Sequence, residues 1–338
     1  MKKTTTIGLA VVLAVALASC APQSSVKSGA AMAESLIRLL PKPTGGVIAI
    51  DVQRITGTEA AVKALQDPQA KQKYDEFVTM SGIDPMKDIN FVVIGLDGAP
   101  PAIEEKGSVI VNLKYDKDKL LGLLKEKAPE LETEIYNGVT IYSGFEAEEK
   151  KRTSRGAFLD GSHIVIGSEA GIKGIIDVHQ KKAESIVKNV EMSAILKKVD
   201  KAGIAWGAFV IPPDLIKKGI ETSPQLKVLE GVTAMTMAFD YKLATFTADI
   251  RTLGGTKEQN ANLASALNGF KALGGMMAAQ EPAVGDVLNG LEITSGPDFT
   301  RLHLSLSQEV MDKLGKLAQS KAGDFMKIKK DEPQEEKK

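Results

Sequence analysis

The stretch ETEIYNGVTIYS at residues 132–143, with GAFLDGSHIVIGSEAGIKGIIDVH at residues 156–179, decides how the chain folds. Asn137-Gly138 separates two short runs, Glu132 to Tyr136 and Val139 to Ser143. Asparagine and glycine both enter the left-handed backbone region that a two-residue hairpin turn requires, so the pair predicts a hairpin. Asp160-Gly161 repeats the signal between Gly156 to Leu159 and His163 to Ile166. Ile172, Ile175 and Ile176 then recur at helical spacing behind Ser168, a capping residue type. Hairpins that lead into amphipathic helices predict antiparallel sheets covered by helices on one face, an α+β fold.

Outward from this unit the same alternation continues. Gly46 to Asp51 follows Pro41 and Pro43 as a first strand, and Ile89 to Leu96 and Ser108 to Lys114 are two more, joined by a Gly/Pro loop from Gly98 to Gly107. Asp116 caps a helix with Leu120, Leu121, Leu123 and Leu124 on one face, and Glu146 to Arg155 reads as a charged loop. In the second half, Ile204 to Ile211 is a strand, and a helical stretch through Leu226 and Leu229 leads to a hairpin of Gly231 to Asp240 with Leu243 to Arg251. Thr256 and Gln259 form a capping box opening the longest helix, on which Leu263, Leu267, Phe270, Leu273 and Met277 are expected to face inward. Pro282 starts a short helix, strands Gly290 to Thr294 and Phe299 to Leu306 follow, and a last helix carries Val310, Leu314 and Leu317. Each half closes as a hairpin then a helix, so two structurally similar halves are expected, residues 36–185 and 186–326.

The first residues carry an address. Lys2 and Lys3 precede a run from Ile7 to Ala18 that is apolar apart from Gly8, the layout of a secretory signal and too short for a bilayer span of about 20 residues. Leu17-Ala18-Ser19-Cys20 resembles the bacterial lipobox. The resemblance implies that residues 1–19 are a signal peptide, that Cys20 receives lipid, and that residues 20–35 are the lipidated N-terminus and tether. Cys20 is the single cysteine, so no intramolecular disulfide can form. Ala21 and Pro22 follow it with no aspartate, which in Gram-negative sorting implies the outer membrane, with the body facing the periplasm. Membrane lipid is then the first expected partner. Residues 327–338, almost all charged, read as a solvated tail.

Leu39-Leu40-Pro41 leading into Gly46 to Asp51, the hairpin from Gly161 to Gly167 entering a helix, and Glu184-Ser185 before a helix resemble uncharacterised bacterial envelope proteins grouped under a domain of unknown function. The resemblance spans roughly Leu36 to Leu317 and implies no activity.

Forty-three basic residues balance 43 acidic ones, and aromatics make up 5% of the chain, which argues against nucleic acid as a partner. His163, His179 and His303 have no second histidine or cysteine at ligand spacing, so no metal or other cofactor is expected. Gly167-Ser168-Glu169-Ala170-Gly171-Ile172-Lys173 departs from phosphate-loop spacing, and Ser168 reads as a helix cap. No nucleophile elbow is present, and Glu104, Glu105, Glu146, Glu148 and Glu149 read as self-solvating loop charge, so no catalytic residues are nominated. Trp206 alternates with Ile204 and Ala208 and is expected inside. The Met/Gly segment at residues 274–279 makes Phe270, Met276 and Met277 candidate contacts for an apolar ligand or a partner. These observations point to a membrane-anchored, non-catalytic structural or interaction protein. A carrier or sensor of an apolar ligand such as a lipid, and a hydrolase with a site assembled from loops, stay open.

Overall fold

Along β1 (Gly46–Asp51) the side chains alternate, so Val47 and Ala49 point to one face of the sheet and Ile48 and Ile50 to the other. A computed structural model of the protein describes residues 29–97, 107–146, 153–278 and 281–318. Eleven further strands join β1: β2 (Ile89–Leu96), β3 (Ser108–Leu113), β4 (Glu132–Tyr136), β5 (Val139–Glu146), β6 (Thr153–Phe158), β7 (His163–Gly167), β8 (Ala205–Val210), β9 (Val232–Lys242), β10 (Thr245–Gly254), β11 (Leu291–Ser295) and β12 (Phe299–Ser307). Together they make one twelve-stranded sheet in the order β11-β12-β10-β9-β8-β1-β2-β3-β7-β6-β5-β4. Neighbours pair antiparallel throughout.

The strand order repeats its pattern between the two halves. In each half three consecutive strands lie side by side, β1-β2-β3 and β8-β9-β10. The half's last strand, β7 or β12, then returns beside the third. The two first strands meet at the centre, with Val47 opposite Ala208 and Ala49 opposite Trp206. Both edge strands, β4 and β11, are five residues long and carry glutamates, which discourages pairing with another chain.

Helices α1 (Gly29–Ile37), α6 (Glu169–His179) and α7 (Val190–Leu196) cover the face that carries Val47. Leu36, Ile172, Ile175, Ile176 and Met192 from these helices are fully buried against Val47, Ala49, Val93, Ile110 and Val165 from the sheet. Trp206, 1% exposed, lies in the same core, as expected from its alternation. Three helices follow β1: α2 (Val52–Thr56), α3 (Glu59–Ala64) and α4 (Pro68–Ser81), capped by Asp51, Thr58 and Asp67. Helix α5 (Lys117–Lys127) starts at the expected cap, Asp116, whose carboxylate accepts from the Asp118 and Lys119 amides. Ser168 likewise caps α6 through the Gly171 amide. In the second half come α8 (Pro213–Thr222), α9 (Lys257–Ala278), α10 (Pro282–Gly290) and a helical stretch at residues 308–318.

Two of the short stretches that carry the family resemblance are neighbours in space. Pro41 and Ser185 form an antiparallel bridge, the Ile186 amide donates to the Leu40 carbonyl, and Lys42 pairs with Glu184 at 2.7 Å.

The structure departs from the reading in several boundaries. Strands β5 and β6 run into the expected charged loop of residues 146–155. A bulge at Gly144, with φ of 96°, allows Phe145 and Glu146 to keep pairing with Ser154 and Thr153. The turn between β9 and β10 is Leu243-Ala244, two residues later than the boundaries the sequence suggested. Helix α1 begins at Gly29, inside the stretch read as tether.

Candidate functional site

Helix α9 opens with the capping box. The Gln259 amide donates to Thr256 Oγ1 at 3.2 Å, and Gln259 Oε1 accepts from the Thr256 amide at 2.8 Å. Asn260, 2% exposed, then ties the first turn to the sheet: its side-chain amide donates to the Gly254 carbonyl, and its own carbonyl accepts from Thr300 Oγ1 at 3.1 Å. Because Thr300 alternates with Phe299 and Arg301, α9 lies on the sheet face opposite to the one α1 and α6 cover. Leu263 and Ala264 are buried beneath it.

Further along, the inward side of α9 passes through Lys271 and Gly274. Lys271 Nζ donates to the Leu291 carbonyl, and Gly274 packs so closely on Leu288 that an added Cβ would stand 3.2 Å from it. Phe270 and Leu273, expected inside, are instead 63% and 60% exposed, and Met276 is 74% exposed. Helical geometry explains the correction. Steps of four and three alternate along 267, 271, 274 and 278 and hold one face, whereas 267, 270 and 273 use two successive steps of three. Each step of three at 3.6 residues per turn rotates the side chain about 60° away from the starting face. Phe270, Leu273 and Met276 therefore form an apolar ridge winding outward on the second half of α9. Two of the three candidate contact residues, Phe270 and Met276, sit on it, joined by Leu273, which like Phe270 is expected from its spacing to face the core; the side chain of Met277 lies outside the described residues.

A second apolar surface lies on the sheet. Opposite the core face, Ile48, Ile50, Val92, Ile94, Val109, Val111 and Ile164 stay half-buried, and Ile166 is 42% exposed. A concavity of 320 Å³ opens elsewhere, between Tyr115, Lys117, Phe158 and the Leu159–Gly161 turn, with the ridge residues outside its lining.

The titratable groups form braces. Asp160 and Ser162 both approach Nδ1 of His163, at 2.8 and 3.3 Å, while Asn112 occupies Nε2 at 3.0 Å. A serine relay needs the hydroxyl and the carboxylate on different ring nitrogens, so this trio lacks that geometry. Burial opposes ionisation of Asp160, but the Ser162 amide and the His163 ring outweigh it and hold the carboxyl below its usual range. His179 reaches the same carboxylate at 3.7 Å. On β10 and β12, Asp249 lies between Arg301 and Arg251, with His303 at 3.4 Å. Lys173 bridges Glu134 and Glu169, tying edge strand β4 to α6. Among the described residues no group of three or more histidine, cysteine, aspartate or glutamate side chains is arranged to hold a metal ion. No described helix is long and apolar enough to cross a membrane.

Residues 106–272 match the family described as a protein of unknown function (DUF3352). The match begins just before β3 and ends within α9, so it crosses the boundary between the two halves. No curated protein matches the chain. Among solved structures, crystal form III of TP0453 is similar with a TM-score of 0.46 at 10% identity, covering 87% of this chain and 100% of that one. Crystal form I of TP0453 is similar with a TM-score of 0.44 at 10% identity, covering 87% and 98%. Cys20, the leader at residues 1–19, the tail at 327–338, and Glu104, Glu105, Glu148 and Glu149 lie outside the described residues.

Proposed function

We propose that the protein is a lipid-anchored envelope lipoprotein, held through acylated Cys20 at the outer membrane and facing the periplasm, that acts without catalysis through an apolar contact surface. The lipobox-like Leu17-Ala18-Ser19-Cys20 supports the anchor. The observation that carries the contact role is the ridge of Phe270, Leu273 and Met276, each more than half exposed on a helix whose first turns are firmly tied to the sheet. Isolated exposed apolar residues are common on any protein, but three consecutive turn-neighbours form a contiguous patch of the kind that marks a contact site. Mass spectrometry of the N-terminal peptide from cells is expected to show a diacylglyceryl thioether on Cys20. A photoreactive group at position 273 of that protein is expected to form adducts with an envelope component in intact cells. A free Cys20 thiol, or a position 273 that yields no adduct, overturns the proposal.

A second reading, a carrier of an apolar ligand, draws on the half-buried sheet face of Ile48, Ile50, Val92 and Ile94. Organic extraction of the purified protein should then release about one lipid per chain, and its absence removes this reading.

A further inference from the structure

The β9–β10 hairpin turns through Leu243 and Ala244, at φ of 50° and 58°. Both residues are left-handed, and Lys242 closes the turn against Thr245. This is the geometry for which Asn-Gly is the preferred pair. The Asn137-Gly138 turn between β4 and β5, at φ of 49° and 79°, obeys the preference. At Leu243-Ala244 the same geometry is built from residues that resist it. The turn is braced from behind, where the Gln308 amide donates to the Ala244 carbonyl and Tyr241 Oη to Gln308 Oε1. Leu243 itself is 95% exposed. Neither turn preference nor burial accounts for a leucine there, whereas contact with an apolar phase does.

The register shows where this leucine stands. Ile50, next to last in β1, pairs with Ala205 at the start of β8, and Ala205 pairs with Phe239. β9 continues past that level to Lys242, so the turn projects roughly 10 Å beyond the central strands. The described chain begins at the same end: Gly29 sits against Asp51 and Phe91, the residues that close β1 and open its pairing with β2. From Gly29 back to Cys20 the chain can span at most about 30 Å. Helix α3, which follows β1 at this end, exposes Val62. Helix α9 starts after β10 has reached the opposite end and runs back, carrying its exposed ridge toward this one.

We infer that this end of the molecule lies against a lipid bilayer, with Leu243 inserted at the boundary between headgroups and acyl chains and the α9 ridge beside it. The inference rests on the lipid-anchored reading and names the partner of its contact surface. A short tether leaving from this end brings the projecting leucine and the membrane within reach of one another.

Two measurements test it. The acylated protein, reconstituted into phosphatidylethanolamine/phosphatidylglycerol vesicles with brominated acyl chains, carries Leu243→Trp in one variant and Val190→Trp in another. Val190 is 86% exposed beside Asn189, whose side chain bonds the Lys42 carbonyl at the opposite end. Quenching is expected at 243 and none at 190. An unquenched tryptophan at 243, in protein whose intact mass shows acylation, overturns the inference while the anchor stands. A mass lacking acyl groups overturns the anchor and the inference with it. In the unacylated Cys20→Ser chain, L243N is expected to weaken vesicle partitioning about tenfold, the effect of withdrawing one buried leucine. Asparagine suits the turn, so a folding defect does not confuse the result. Unchanged partitioning, or photocrosslinks from 243 to protein and none to lipid, also refute the bilayer contact.

Discussion

Replacing Leu243-Ala244 with Asn-Gly is expected to stabilise the protein, although it removes a leucine. A left-handed backbone costs roughly 1–2 kcal/mol per ordinary residue and little for asparagine or glycine, so two such residues set an upper limit of about 2–4 kcal/mol. Glycine at 244 gives back about 0.5–1 kcal/mol through the greater freedom of the unfolded chain. Loss of burial adds almost nothing, because Leu243 is 95% exposed. The brace from Gln308 is a backbone bond at residue 244 and survives the change. The net gain is then at most about 1–3.5 kcal/mol, or roughly 2–6 °C in Tm for a chain of this size. Urea titration followed by circular dichroism, with scanning calorimetry beside it, reads the shift. A midpoint that stays put or falls would refute the argument, since it would mean that the left-handed turn carries no strain or that the leucine packs on something.

Two further outcomes follow from the core. Asp51 is 4% exposed and caps α2 by accepting from the Arg54 amide at 3.0 Å, and burial pushes its carboxyl above the usual range despite Arg54. A raised folded pKa favours the neutral form, so the stability it lends is full below about pH 4 and is lost as pH rises through the folded value. Asp51→Asn keeps the cap and abolishes the titration, so its advantage over the wild type should grow from pH 4 towards neutrality; a pH-independent difference in denaturation midpoints would contradict this. Ile175 is fully buried in α6, and Ile175→Ala should cost about 2–5 kcal/mol in chemical denaturation, with a loss under about 1 kcal/mol showing that the core there is loosely packed.

Local chemistry made much of the fold legible. Asn137-Gly138, Asp116, Ser168 and the Thr256/Gln259 box each announce a turn or a cap through their own side chains, and each does what its type implies. The features that went unread depend on partners distant in sequence. Leu243-Ala244 has no turn signal, and its conformation is held by Gln308, far along the chain. The continuation of β5 past Ser143 depends on a bulge that only the register of its neighbour reveals. The ridge on α9 is hidden in the sequence because Leu263, Leu267, Phe270 and Leu273 have the spacing of one stripe, and only the packing of Lys271 and Gly274 on the neighbouring elements selects the inner face. Of the candidate site, the residue types were visible in the sequence, but their outward orientation was not.

The meeting of β1 with β8 at the middle of the sheet joins the two halves into one hydrogen-bonded layer. Each half covers its first strand with that of the other, whereas the outer borders carry glutamate. A fragment ending before β8 would bare β1, with Val47, Ile48, Ala49 and Ile50, as an unpaired apolar border ready to zip onto a similar strand, including the same strand in a sister fragment. Truncation or proteolysis between the halves should therefore yield aggregates or swapped pairs.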